Sequence, residues 1–203
     1  GAGGATASTG NGGATTGGGS STGGGSGSTT PPTTVLPTVD TSAVVANGTA
    51  LPLPEGWQYG AFMQIFVRSY QDSDGDGIGD LKGLISRLDY LQELGVRGLW
   101  LMPVNPSQDR DHGYAVKDYR NIESQYGSLA DLDALVSAAA ARGMGVILDY
   151  VINHSAADHP AFTNARAAKD NAYRNWYLWQ DASPANWNVF GGNPWRQDPT
   201  GWY

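Results

Sequence analysis

The chain has 203 residues, no cysteine, and a net charge of −7 from 12 Lys plus Arg against 19 Asp plus Glu. Disulfides are therefore excluded, and the fold must hold by packing, with a bound metal as the further brace open to it. The acidic balance, with no clustered Lys or Arg, argues against a nucleic-acid partner, and no apolar run approaches the roughly eighteen residues of a transmembrane segment.

Of the 29 glycines, thirteen fall in residues 1–30, and the first fifty residues carry a single charge, Asp40. Residues 1–50 read as a flexible Gly/Ser/Thr-rich linker, stiffened at Pro31-Pro32, because so little apolar area cannot offset the entropy of ordering them. No basic stretch leads into an apolar one, so no signal peptide is read. Linkers of this composition resemble those behind the lipid-modified N-terminus of exported bacterial lipoproteins, or those joining extracellular modules. The expected localisation is extracellular or periplasmic, with lipid anchoring one form of it; the alternative is a disordered leader without function.

Order is expected from Leu51 onward. Ala61 to Val67 is an apolar run of strand length, and Leu81, Leu84, Ile85, Leu88, Leu91 and Leu94 recur at helical spacing until Gly95. Val96 to Met102 reads as a second strand, ended by Pro103. Ser128 and Asp131 stand three apart as a capping box, opening a helix that buries Leu132, Leu135, Val136 and Ala139, with Gly143 at its C-terminal cap. Gly145 to Val151 is the third strand. Strands apolar almost throughout, alternating with helices, predict an α/β fold with a parallel, helix-covered sheet. Polar residues gather just past each strand: Arg68 and Asp72, then Asn105 to Asp111, then Asn153 and His154. Sites in parallel α/β folds lie at that end of the sheet. Residues 155–203 are rich in aromatics with little strand periodicity, and three strands close no barrel, so the chain is expected to be the front part of a longer polypeptide.

Between the first strand and the first helix, Asp72, Asp74, Asp76 and Asp80 alternate with glycines and other residues in a nine-residue loop. That many like charges repel unless a cation sits among them, and hard oxygen donors on a flexible loop suit calcium. The expected ligands are Asp72, Asp74, Asp76, the carbonyl of Ile78, and Asp80. The start follows an EF-hand, but Gly83 stands where the bidentate glutamate belongs. The other reading is a solvated acidic turn with Asp80 capping the helix at Leu81; the two are compatible, since a carboxylate has two oxygens.

A sugar site needs an aromatic face with carboxylate and imidazole groups beside it, and Asp111, Tyr114 and His154 are the right types. His154 alone reads equally as a structural histidine, and His159 as a surface one. Residues 57–203 resemble the N-terminal part of the α-amylase family of glycoside hydrolases, family thirteen. The resemblance rests on Gln64 to Tyr70, Asp72 to Asp80, Leu99-Trp100-Leu101-Met102-Pro103, His112-Gly113-Tyr114, Tyr126-Gly127, and Asp149 to His154.

The resemblance implies a (β/α)8 TIM barrel with a small domain inserted after the third strand. Residues 51–154 would supply the first three strands and residues 155–203 the start of the inserted domain B. It implies that Tyr114 stacks on the sugar before the scissile bond, that His154 bonds hydroxyls of that sugar, and that Asp149 and the amylase-like His112 support the site. Asp111 corresponds to an aspartate that, in enzymes acting at chain ends, pairs with an arginine. Asn153 is a second calcium ligand in many α-amylases, and Ala115 departs from the Asp frequent after Gly-Tyr. The implied activity is retaining hydrolysis of α-glucosidic bonds in starch-like glucans or oligosaccharides, with Ca2+ bound. The alternatives are glucosyl transfer of the trehalose synthase or amylosucrase type, or a non-catalytic calcium-stabilised carbohydrate-binding module. No catalytic residue is read in this chain. The three catalytic carboxylates are expected beyond Tyr203, which would leave these 203 residues inert by themselves. Oligomeric state is left open.

Overall fold

The computed structural model describes residues 51–108 and 111–203, so the linker read over residues 1–50 lies outside the described residues. Three parallel strands, β1 (Ala61–Ile65), β2 (Val96–Leu101) and β3 (Gly145–Leu148), form one sheet in the order β1-β2-β3. Ile65 pairs with Leu101, and Leu101 with Leu148, so the strands end level with one another.

β1 is shorter than its apolar run. Phe66 leaves the sheet and Val67–Tyr70 turns into a short helix, α1. The predicted helix over 81–94 is two pieces, α2 (Leu81–Ser86) and α3 (Leu88–Glu93). The break at Arg87 (φ −105°, ψ 1°) follows a Ser86 hydroxyl that donates to the Gly83 carbonyl at 2.6 Å, back-bonding that competes with the helix ladder. Leu81, Leu84, Leu88 and Leu91 are fully buried across both pieces, whereas Leu94, after the last turn, is 60% exposed. α4 (Leu129–Ala140) carries the expected capping box: Asp131 accepts from the Ser128 amide at 2.8 Å while the Ser128 hydroxyl accepts from the Asp131 amide at 3.3 Å. Ser128→Ala should lower the unfolding free energy by about 1 kcal/mol, read by denaturant titration of the intact protein. Gly143 has φ +71° at the helix exit, as a C-terminal cap requires. Leu135 and Ala139 are buried, while Leu132 and Val136 are only half-buried.

The helices α2, α3 and α4 pack on one sheet face, against Ile65, Leu99 and Leu101. The opposite face carries the in-register row Gln64, Trp100 and Ile147, each exposed, with the Trp57 and Phe62 rings over Gly145 and Gly98. The sequence pattern predicts helical cover without saying on how many faces; it lies on one. Helices outside a curved parallel sheet are the layout of an arc of a (β/α)8 barrel, and the described strands do not close it.

Residues 155–203 hold more regular structure than their composition predicts. α5 (Pro160–Ala167) and a hairpin of β4 (Gln197–Asp198) and β5 (Gly201–Trp202) are joined through aromatic contacts, with Phe162 against Tyr177, Trp179 and Tyr203. His159 caps α5, its Nδ1 accepting from the Ala161 amide at 3.2 Å, which gives it a structural task that the surface reading lacks. No helix among the described residues is long and apolar enough to cross a membrane.

Candidate functional site

The carboxyl ends of β2 and β3 bring Tyr114, Asp149, Asn153 and His154 together. Asp149 follows β3 and continues its ladder, its amide donating to the Leu101 carbonyl at 2.9 Å. That register aims its side chain at the β2 loop, where the Tyr114 hydroxyl donates to Asp149 Oδ2 at 3.2 Å. Burial first, and then the Asp149 charge and hydrogen bond, hold the Tyr114 pKa above its usual 10.0, so the phenol stays a donor at neutral pH. His154 Nε2 lies 2.9 Å from the Tyr114 carbonyl oxygen, and its Nδ1 lies 3.2 Å from Asn153 Nδ2. An amide nitrogen only donates, so Nδ1 accepts and the imidazole proton sits on Nε2, where it donates to Tyr114. Both ring nitrogens are thus engaged, and His154 reaches a sugar hydroxyl only by exchanging one of these partners.

The loop that presents Tyr114 is held tightly. Gly113 has φ +106°, and a Cβ there would lie 2.4 Å from Pro103 Cβ, so no other residue fits the turn. His112, also at positive φ (59°), packs edge-on against Phe66 at 5.3 Å between ring centroids. Asp111 accepts from the Ala115 amide at 2.8 Å and from the Ser107 hydroxyl, so its carboxylate braces this loop. On the β1–β2 side of the rim lies a polar cavity of about 430 Å³, lined by Arg68, Asn105, His112 and Glu123 among others; Tyr114 and His154 are not among its walls.

The acidic loop forms a second group, between α1 and α2. Oxygens of Asp72, Asp74 and Asp80 lie within 4.8 Å of one another, and no other group of three or more His, Asp or Glu gathers in this way among the described residues. Asp76, an expected ligand, stands outside the group and accepts instead from the Ile78 amide at 2.7 Å. Asn153, the possible second metal ligand, places its side-chain nitrogen 3.2 Å from His154 Nδ1. Asp72 accepts from the amides of Asp74, Gly75 and Gly77, and these bonds hold its pKa below the carboxylate norm. Asp80 caps α2 through Gly83 N at 2.7 Å and takes the Ser73 amide and hydroxyl on its other oxygen. Burial pushes the Asp80 pKa up, but these hydrogen bonds together outweigh it and the net shift is downward. The lowered pKa values keep Asp72 and Asp80 ionised, and the carboxylate lone pairs that remain at the three aspartates suit a hard cation. The three carboxylates therefore form a donor set that could hold a metal ion, in place of the four expected.

Tyr119 has no place in the sequence-based site, yet its hydroxyl lies 2.7 Å from the Val151 carbonyl oxygen and 2.8 Å from that of His154. The only signal available in sequence was its position five residues after Tyr114.

A family model described as the alpha amylase catalytic domain matches residues 64–203. An oligo-1,6-glucosidase of Heyndrickxia coagulans is 41% identical over 154 residues, covering 73% of this chain and 28% of the relative. An α-glucosidase of Candida albicans is 44% identical over 152 residues, covering 70% and 27%. Among solved structures, a mutant of trehalulose synthase MutB superposes with a TM-score of 0.67 at 43% identity, covering 72% of this chain and 28% of the other. Bacillus licheniformis trehalose-6-phosphate hydrolase gives a TM-score of 0.69 at 38% identity, covering 73% and 28%. The chain thus spans little more than a quarter of the length of these relatives. From the matched residues 64–203 and these identities, the chain belongs to the α-amylase family of glycoside hydrolases, family thirteen.

Proposed function

We propose that the intact protein breaks α-glucosidic bonds of short oligosaccharides and passes the glucosyl group on with retention of configuration. The observation that carries the reading is the meeting of Tyr114, Asp149 and His154 at one rim of three parallel strands. In this reading Tyr114 lies against the sugar ring, His154 takes hydroxyls of the same sugar, and Asp149 anchors the tyrosine. The attacking carboxylate and the acid/base carboxylate, about 5 Å apart in a retaining site, would come from outside these 203 residues. Residues 155–203 would begin the inserted domain. Export, with the linker as a tether, belongs to the same proposal.

Hydrolysis and transfer differ only in the acceptor that reaches the glucosyl intermediate. The likeness to trehalulose synthase favours the glucosyl-transferring alternative over starch-type hydrolysis. The oligo-1,6-glucosidase relatives favour hydrolysis as the second reading. Incubating the intact protein with sucrose, maltose, isomaltose and starch separates them: a new disaccharide from sucrose or maltose marks transfer, and release of the free component sugars with no new disaccharide marks hydrolysis. Turnover of none of the four overturns the reading. On the preferred substrate, Tyr114→Ala should lower kcat/KM by about 30- to 150-fold, the loss expected of a removed aromatic anchor, while Tyr114→Phe keeps the ring and falls less than about tenfold. Equal damage from both would place the hydroxyl, not the ring face, at the sugar.

We further propose that the acidic loop binds Ca2+. Calcium at a hundred times its Kd would stabilise the protein by about 2.7 kcal/mol. Asp74 accepts one long bond within the protein, from Asp76 N at 3.2 Å, so removing it costs the fold little by itself. Asp74→Ala should therefore lower the melting temperature clearly in calcium and barely in chelator, with Asp76→Ala the milder variant. Equal losses in both solutions would show that no cation is held there.

A further inference from the structure

We propose that Tyr119 is a positioning residue for His154, acting through the backbone turn that carries it. This rests on the reading of His154 as a substrate contact. Tyr119 belongs to the loop after β2, but its hydroxyl crosses to the loop after β3, 2.7 Å from the Val151 oxygen and 2.8 Å from the His154 oxygen. A phenol has one hydrogen, so the two carbonyls share it, and both ends of a four-residue turn are drawn to one point. The ring itself is wedged edge-on between Tyr150, at 5.5 Å, and His159, at 5.7 Å. The hydroxyl is therefore delivered by a side chain with little freedom to move.

His154 is exposed. Its orientation depends on where residue 154 sits in the backbone and on two ring hydrogen bonds, to the Tyr114 carbonyl and to Asn153. A sugar hydroxyl must replace one of those bonds, so during binding the imidazole keeps only part of its own support. The carbonyl held by Tyr119 is the anchor that does not exchange. Without the phenolic hydrogen, Val151 and His154 present unpaired carbonyls toward a ring edge, the turn relaxes, and the imidazole loses register with Tyr114.

The test is a double-mutant cycle in the intact protein. Tyr119→Phe keeps the ring and its contacts. It should lower kcat/KM on the preferred α-glucoside about tenfold, the upper range for one hydrogen bond, and change kcat/KM less than about twofold when His154 is already alanine. The same tenfold loss in both backgrounds would show that Tyr119 does not act through His154, and the proposal falls. If the protein turns over no α-glucoside, the functional reading fails instead, and NMR of 13C-labelled histidine decides the structural one. The His154 and His112 ring signals are identified by their loss when each residue is replaced by alanine. The His154 signal should shift or broaden in Tyr119→Phe while His112 stays put; an unchanged His154 signal overturns the proposal.

Discussion

Arg174→Ala is expected to destabilise the intact protein by roughly 3–4 kcal/mol, with the loss confined to residues 155–203. The Arg174 guanidinium donates to the Ala165 carbonyl at 3.0 Å and to the Thr200 hydroxyl and carbonyl at 2.9 and 2.8 Å, tying α5 to the hairpin. It also lies 3.6 Å above the Trp179 ring, whose indole N–H donates back to the Arg174 carbonyl at 3.1 Å. Burial lowers the Arg174 pKa and the nearby Asp198 opposes that. Alanine leaves buried carbonyls without a donor, each costing about 1–3 kcal/mol, and opens a void over the tryptophan. Arg174→Lys keeps the charge but loses the planar fork and the stacked face, and should recover less than half of the loss. Denaturant titration gives the energy, and limited proteolysis gives its place. Early cleavage within 160–203, with the sheet still protected, is the expected pattern; an unchanged cleavage pattern would show that the aromatic contacts hold this segment without the arginine.

Gly83→Ala sets two effects against each other. Alanine is the better helix former by about 1 kcal/mol, which would stabilise α2. Its Cβ, however, would lie 2.0 Å from the Gln71 oxygen and 2.7 Å from the Gln71 carbonyl carbon, both backbone atoms. Gln71 cannot step aside freely, because its carbonyl accepts from the Asp80 amide at 3.0 Å, and the next bond along, Gly79 N to the Arg68 oxygen, is 2.7 Å. Steric cost wins, and the net loss should be on the order of 2–3 kcal/mol by thermal or denaturant unfolding. Because the same displacement shifts Asp80, calcium should stabilise the variant less than the wild-type protein. A variant as stable as the wild type would mean that the loop gives way easily, which its hydrogen bonds argue against.

The legible features were those with local causes. The capping box of Ser128 and Asp131 needs residues three apart, and the apolar runs of β1 and β2 need only a buried parallel sheet. The break at Arg87 escaped because leucines at 81, 84, 88 and 91 keep helical spacing through it. β3 stops at Leu148, where its partner Leu101 ends, while Val151 continues the apolar pattern for no structural reason visible in sequence. Residues 155–203 are joined by the Phe162 aromatic contacts, by Arg174 and by the Arg166–Asp198 pair, 2.6 Å apart, all between positions that share no periodicity. Tyr119 was missed for the same reason: its partners are backbone carbonyls 32 and 35 residues away, and backbone acceptors leave no trace in residue type.

Among the described residues the parallel pairing joins each strand to the one synthesised before or after it. As the polypeptide leaves the ribosome, β1, α2–α3 and β2 can already close on one another, with β3 added onto a finished edge. At that stage the row of Gln64, Trp100 and Ile147 faces solvent, so the sheet is assembled with apolar side chains still uncovered.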